Sequence, residues 1–303
     1  MTTRTIAGAE LHPVGLGCMN LSWAYGTPPG PEEGARLLGR ALDLGYDHLD
    51  TARIYGGGQN EALIGETLHG RRTEFFLASK CGITVDGPKR GVDCSPRAIE
   101  QAIDESLRLL RTDRIDLYYM HRFDPKVPVA DSVGAMVRAI EAGKIGAYGV
   151  SEWSARHIRE AHGVHPVGAV QTEYSLWTRN VELEDPKTLE DSDLRTKMPR
   201  FQPGNWPHNR ALIERLAALA HEAGITCAQL ALAWVLSRGD HVHVIPGTTK
   251  LQHLEDNHRA WTLDVPQDVL EAAGALINEG TVAGHRYHDA IRPTIDTEEF
   301  EPA

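Results

Sequence analysis

The chain has 303 residues, 41 % hydrophobic and 24 % charged, which is ordinary globular usage and enough apolar material for a sizeable core. Its net charge of −11 argues against nucleic acid or an anionic lipid surface as partner, because neither attracts an acidic surface. No run of about eighteen apolar residues occurs, which excludes a membrane-spanning helix. Met1–Gly17 lacks the long apolar run and small-residue cleavage pattern of a secretory signal. Cys18, Cys81, Cys94 and Cys227 are scattered without CxxC spacing and suit free thiols in a reducing compartment. The expected location is the cytoplasm.

In chain order, short apolar strands alternate with amphipathic helices, the pattern of a parallel sheet covered by helices. Pro31, Glu32 and Glu33 open a helix that turns Leu37, Leu38, Ala41 and Leu42 inward and stops at Gly45. A strand is predicted at His48–Ala52, a helix over Glu61–Leu68 and a strand at Phe75–Lys80, where Phe75, Phe76 and Leu77 suit burial on both faces. Ser95 caps a long helix whose first residue is Pro96, with Ile99, Ile103, Leu107 and Leu110 on one side. The spacing then predicts a strand at Ile115–His121, a helix at Val129–Ala142 and a strand at Ala147–Ser151. A helix capped by Ser154 runs to His162, and a strand follows at Ala169–Tyr174. Helices at Arg210–Ala223 and Cys227–Ser237, a strand at His243–Pro246, and helices from Lys250 and over Gln267–Ile277 complete the pattern. No solenoid-period repeat and no linker divides it, so one barrel domain over residues 1–303 is the expectation.

Three successive predicted strands finish on residues capable of acid–base work: Asp50, Lys80 and His121. In a parallel barrel the carboxyl ends of strands share one face, so residues 30 and 41 positions apart can converge there. Tyr55, five residues past Asp50, lies in the loop leaving the first of these strands and can lean over that face. The set suits carbonyl reduction: hydride arriving at a carbonyl carbon builds an alkoxide that needs a proton. A phenol is a poor acid at neutral pH unless an ammonium stabilises its anion. Asp50 would hold Lys80, and His121 would polarise the carbonyl oxygen or complete the proton path. Other constellations are weaker. His162/His165, His241/His243 and His285/His288 belong to no HExxH motif and no cysteine joins them, so no metal is expected. Gly56–Gly57–Gly58 lacks GxGxxG and reads as a turn. Cys18 has no paired base and reads as packing.

The runs GYDHLDTARIYGGGQNEALIGETL (Gly45–Leu68), LASK (Leu77–Lys80), DLYYMHRFD (Asp116–Asp124), GVSEWS (Gly149–Ser154), VQTEYSLWTR (Val170–Arg179) and IPGTTK…EDN (Ile245–Asn257) resemble the signatures of the aldo-keto reductase family, in its bacterial and plant-type branch. The likeness spans nearly the whole chain. It implies a (β/α)8 barrel and NAD(P)H-dependent reduction of aldehydes or ketones, with Tyr55 as proton donor, Asp50 and Lys80 tuning it, and His121 orienting substrate. Ser151, Glu152 and Gln171 would bind the nicotinamide carboxamide, although many members have asparagine where Glu152 stands. Asp256 and Asn257 match the pair that recognises adenine, and Gly17, Met19, Asp50, Gly247 and Thr248 complete the implied cofactor contacts. Lys250 and His253 stand where NADP-preferring members hold the 2′-phosphate; a histidine makes no bidentate contact, so NADP is favoured with NAD open. Trp23, Arg122 and Trp153 are candidate substrate walls. The oligomeric state is not legible.

One stretch departs from the family pattern. Asn180–Met198 occupies the place of the sixth helix and seventh strand, where a strand–helix–strand unit needs roughly thirty residues. The stretch has no run of three apolar residues, and no aromatic that would stack on nicotinamide. The expectation is a barrel that lacks or remodels this unit. The intact tetrad favours an enzyme; the short stretch favours the alternative of a weakly active or non-catalytic dinucleotide-binding regulatory protein on the same scaffold. A less enclosed cofactor loses stacking and phosphate hydrogen bonds and binds more weakly. Titration of NADPH by cofactor fluorescence is expected to give a dissociation constant in the micromolar range or above, and sub-micromolar affinity contradicts the expectation.

Overall fold

The computed structural model describes residues 3–86, 89–176, 197–288 and 292–297. The stretch 177–196, which holds most of the departure from the family pattern, and Arg179 lie outside the described residues. Strands β1 (Arg4–Ile6) and β2 (Ala9–Leu11) form an antiparallel hairpin that precedes β3 (Leu16–Gly17). Helix α1 (Pro31–Leu44), β4 (His48–Asp50), α2 (Gln59–Leu68) and β5 (Phe76–Cys81) follow. A second antiparallel hairpin, β6 (Ile83–Asp86) and β7 (Lys89–Val92), precedes α3 (Pro96–Leu110) and β8 (Ile115–Met120). Next come α4 (Val129–Glu141), β9 (Ile145–Ser151), α5 (Ala155–Val164) and β10 (Ala169–Gln171). Helices α6 (Trp206–Glu222), α7 (Cys227–Leu236), α8 (Leu251–Arg259) and α9 (Gln267–Leu276) complete the set. Neither hairpin is expected from the sequence, because strands of three or four residues carry too few apolar positions to show a period of two.

Six strands pair in parallel in the order β10–β9–β8–β5–β4–β3. The chain at 244–247 continues the wall beside β3 through parallel bridges Val14↔Val244 and Gly17↔Gly247. The strand expected at His243–Pro246 is therefore reduced to bridges, and the one expected at Ala169–Tyr174 ends at Gln171. Register explains the convergence at the carboxyl ends: Asp50 pairs with both Gly17 and Ala78, Lys80 with Tyr119, and Ser151 with Gln171. No single helix among the described residues is long and apolar enough to cross a membrane.

Local chemistry sets the helix boundaries. Glu32 and Glu33 in the first turn of α1 favour the positive end of its dipole, and the Gly45 N–H closes the helix on the Ala41 and Leu42 carbonyls. Ser95 caps α3 by accepting from Ala98 N–H at 3.4 Å, and Ser154 caps α5 from His157 N–H at 3.4 Å. Thr226 and Gln229 form a reciprocal capping box on α7, at 3.1 and 3.0 Å. The main core lies between strands and helices and includes Leu38, Leu49, Ile64, Leu77, Ile99, Tyr118, Met136 and Val150. A smaller cluster fills the barrel interior: Phe76, Ala78, Leu117 and Tyr119, sealed at the amino-terminal end by Leu11, Ile6 and Ala9 of the first hairpin.

Beside that sealed end the structure gathers four histidines. His12 stacks on His258 with ring centroids 4.5 Å apart, and His48 meets His243 at 6.5 Å. His48 is 2 % exposed and neither ring nitrogen has a partner, so burial drives its pKa from 6.5 down to about 4, with neighbouring Asp50 opposing. The folded state thus prefers the neutral ring while the unfolded chain protonates near 6.5; the stability present above that pH is lost as pH falls toward 4. A slope of about 1.4 kcal/mol per pH unit is expected from this group. Denaturant unfolding between pH 7 and 4 checks it: His48→Gln flattens the profile, and an unchanged slope contradicts the assignment.

Candidate active site

The site stands at the carboxyl ends of β4, β5, β8, β9 and β10, the face where active sites of parallel barrels lie. Asp50 is the last residue of β4, Lys80 the penultimate residue of β5, and His121 follows β8 directly. Hydrogen bonds prolong the ladder past the strand ends: Thr51 N–H to Ala78 O at 2.9 Å, Arg53 N–H to Lys80 O at 3.1 Å, and His121 N–H to Cys81 O at 2.8 Å. Tyr55 opens the one-turn helix Tyr55–Gly58, in which Gly56, Gly57 and Gly58 all have positive φ. At Gly58 a Cβ would also lie 2.3 Å from Arg53 Nη1, so the turn that presents Tyr55 requires glycine there.

Lys80 is fully buried. Its ammonium donates to Asp50 Oδ1, to the Thr51 carbonyl at 2.7 Å and to Tyr55 Oη at 3.4 Å, which uses all three N–H groups. Burial alone would lower its pKa, but Asp50 and then Tyr55 outweigh it and hold the amine above the ordinary lysine value. Asp50 Oδ2 accepts from Gln171 Nε2 at 2.8 Å. The expectation that Lys80 makes Tyr55 more acidic holds only in sign: burial raises the phenol more than Lys80 lowers it, so Tyr55 is held above the usual tyrosine value and keeps its proton at neutral pH. The His121 ring meets Tyr55 edge-on at 6.0 Å. Burial, with Lys80, Arg122 and Arg90 nearby, pushes its pKa well below the ordinary histidine value, so the ring is neutral. The four residues far apart in sequence are brought together.

The remaining expected residues divide. Ser151 is buried at the end of β9, and Gln171 lies opposite it on β10. Glu152 has φ 58, an uncommon backbone for a side chain of this kind, and its carboxylate is fully engaged. Oε1 accepts from Glu173 N–H at 2.8 Å and Arg286 Nη2 at 2.6 Å, and Oε2 from Arg286 Nη1 at 3.1 Å and Thr172 Oγ1 at 3.4 Å. Trp153 is buried edge-on to Phe123 at 5.2 Å, while Trp23 is half-buried and 6.2 Å from Tyr55. Arg122 donates to the His121 carbonyl at 2.6 Å. Met19 opens a short turn after β3. At Gly17 a Cβ would lie 2.5 Å from Ile245 O, so chain packing by itself demands glycine there, and at Gly247 it would lie a tight 3.1 Å from Gly17 O.

Asn257 fits a bound group. It is fully buried, and neither Nδ2 nor Oδ1 has a partner, an arrangement that a nucleobase edge would satisfy. The Asp256 carboxylate beside it accepts from Gln252 Nε2 at 3.2 and 3.3 Å. Thr248 is buried and its Oγ1 accepts Lys250 N–H at 3.1 Å, whereas the Lys250 side chain is exposed and makes no ion pair among the described residues. His253 lies half-buried in α8.

Several residues that organise the site escape a reading of residue types. Asn60 Nδ2 donates to Cys18 O at 2.8 Å and Ser22 Oγ at 2.9 Å, and its Oδ1 accepts from Thr51 at 2.6 Å, which ties the Trp23 loop to the end of β4. Arg286 bridges Glu152 and Glu173, and Asp296 accepts from Ser154 N–H and His157 Nδ1, both at 2.7 Å. The Arg286 and Asp296 contacts span more than a hundred residues and carry no local sequence signal.

The model of the aldo/keto reductase family matches residues 13–193 and 182–278. A soybean (Glycine max) protein described as probable aldo-keto reductase 1 is 35 % identical, over 94 % of this chain and 90 % of its own length. Among solved structures, the glycerol dehydrogenase of Gluconobacter oxydans superposes with a TM-score of 0.80 at 24 % identity, covering 99 % of this chain and 98 % of that one. An aldo-keto reductase of Klebsiella pneumoniae in complex with NADPH gives 0.69 at 24 %, covering 91 % and 96 %. The chain belongs to the aldo/keto reductase family and has its α/β barrel fold.

Proposed function

We propose that the protein reduces aldehyde or ketone groups of small molecules to alcohols with a nicotinamide dinucleotide, and that Tyr55 is the proton donor. The observation that supports the reading is the buried Lys80 ammonium 3.4 Å from the Tyr55 hydroxyl, at the open end of the barrel. When bound, the dinucleotide supplies the hydride. Tyr55, protonated at neutral pH, gives its proton to the carbonyl oxygen as negative charge builds there, and Lys80 stabilises the phenolate left behind. Asp50 keeps Lys80 charged and in place, while the neutral His121 ring is free to share a hydrogen bond with the same oxygen.

Ser151 and Gln171 are the residues we assign to the nicotinamide carboxamide, with Asn257 and Asp256 on adenine. The saturated Glu152 carboxylate suits it better to fixing the chain around Ser151 than to binding cofactor directly. NADP is favoured over NAD because the exposed Lys250, with His253 on the next turn, can meet a 2′-phosphate, and because Klebsiella pneumoniae relatives of this fold were solved with NADPH and NADP. NADPH oxidation against a panel of aldehydes, run with Tyr55→Phe alongside, tests the reading. The variant is expected to lose about 10²–10⁴ in kcat while its NADPH dissociation constant stays within about threefold, a change under 1 kcal/mol; activity that survives the substitution removes Tyr55 from the donor role.

A further inference from the structure

Two guanidinium groups near Tyr55, those of Arg90 and Arg122, make no ion pair among the described residues. Arg90, on β7 of the hairpin that follows β5, places its Cζ 4.6 Å from the centroid of the Trp23 ring, and Trp23 itself lies 6.2 Å from Tyr55. Tyr55, Trp23 and Arg90 therefore form one layered wall. Arg122 is pinned next to the imidazole by its bond to the His121 carbonyl. The two cations sense each other, since Arg122 contributes with burial to depressing Arg90, and both contribute to keeping His121 neutral.

Some arginines elsewhere pair with carboxylates, Arg53 with Glu105, Arg72 with Asp116 and Arg138 with Glu100, whereas exposed Arg97, Arg156 and Arg215 have no ion pair among the described residues. The chain has 42 acidic residues against 31 Lys and Arg, so acidic partners are not scarce. Neither Arg90 nor Arg122 has an ion-pair partner among the described residues. Glu152 lies near enough to Arg122 to feel its charge, but its acceptor positions are taken by Arg286, Glu173 and Thr172. Two like charges held near one another at the mouth cost energy that a bound anion would recover. A guanidinium's planar fork matches the two oxygens of a carboxylate or phosphate.

We infer that the substrate is a small carbonyl compound carrying an anionic group, a carboxylate or a phosphate, received by Arg90 and Arg122 while its carbonyl faces Tyr55. This rests on the reductase reading above. The dinucleotide's own phosphates are a less suitable anion: their expected holders, around Lys250 and His253, follow the last stave of the wall, whereas Arg90 and Arg122 flank β5 and β8.

The test is kcat/KM of the wild-type protein with NADPH for 4-oxobutanoate against butanal, and for glyceraldehyde 3-phosphate against glyceraldehyde. The same ratios and the NADPH dissociation constant are measured for Arg90→Gln, whose side chain packs on Trp23 and makes no ion pair among the described residues, and for Arg90→Gln/Arg122→Gln. A preference of about tenfold or more for the charged member of at least one pair is expected, falling severalfold in the single variant and toward one in the double. The pair that shows it separates carboxylate from phosphate. Equal turnover of charged and neutral members overturns the inference and leaves the reductase reading standing. A preference untouched by both variants, or variants that weaken NADPH and leave the ratios alone, also overturns it. No turnover of any of the four compounds overturns the reductase reading and this inference with it.

Discussion

A single ammonium inside the barrel organises everything around it. Burying the Lys80 charge would cost several kcal/mol if it stood alone, so the fold must bring it an anion and complete its hydrogen bonds. Asp50 supplies the anion, Thr51 a carbonyl and Tyr55 a hydroxyl, and each comes from the segment that leaves β4. The β4–β5 register, in which Asp50 pairs with Ala78, sets Lys80 just beyond the end of β4. Such a pair adds little net stability over apolar residues of similar volume. What it provides is a fixed positive charge beside a phenol that burial keeps protonated.

The surrounding shell can be understood as what holds that charge in register with a pocket. Asn60 links Cys18, Ser22 and Thr51, so the loop that carries Trp23 cannot drift from the end of β4. On the far side, Arg286 and Asp296 bring the late part of the chain onto the end of β9. Asp296 N–H donates to the Glu152 carbonyl at 3.0 Å, and Arg286 neutralises the Glu152 carboxylate. Glu152 stays ionised despite burial because Arg286 and the Glu173 N–H oppose the desolvation that would otherwise protonate it. Its left-handed backbone is a conformation worth of order 1–3 kcal/mol of strain, and these contacts offset it.

The parts of this arrangement that sequence reveals are those with a local cause. Ser95–Pro96, Ser154 and Glu32–Glu33 mark helix starts because capping and dipole effects act within one turn. Asp50, Lys80 and His121 stand out because each ends an apolar strand, and a parallel barrel gathers such ends by geometry. The hairpins Arg4–Leu11 and Ile83–Val92 are invisible at that level, and so is the role of Arg90 on the second of them. Arg286 illustrates the limit best: nothing near it in sequence points to Glu152, which lies 134 positions away. The direction of the Tyr55 shift is likewise a matter of three-dimensional burial, which residue spacing does not encode.

In the proposed reaction, a buried cation beside Tyr55 makes proton donation effective. The most direct measurement is the rate of carbonyl reduction across pH by Lys80→Met combined with Asp50→Asn, so that no buried charge is stranded, with circular dichroism to report folding. The expected result is a folded protein whose rate is lower by about a hundredfold or more throughout its stable pH range. A folded variant working within about threefold of the wild-type rate, under 1 kcal/mol of barrier, would contradict it.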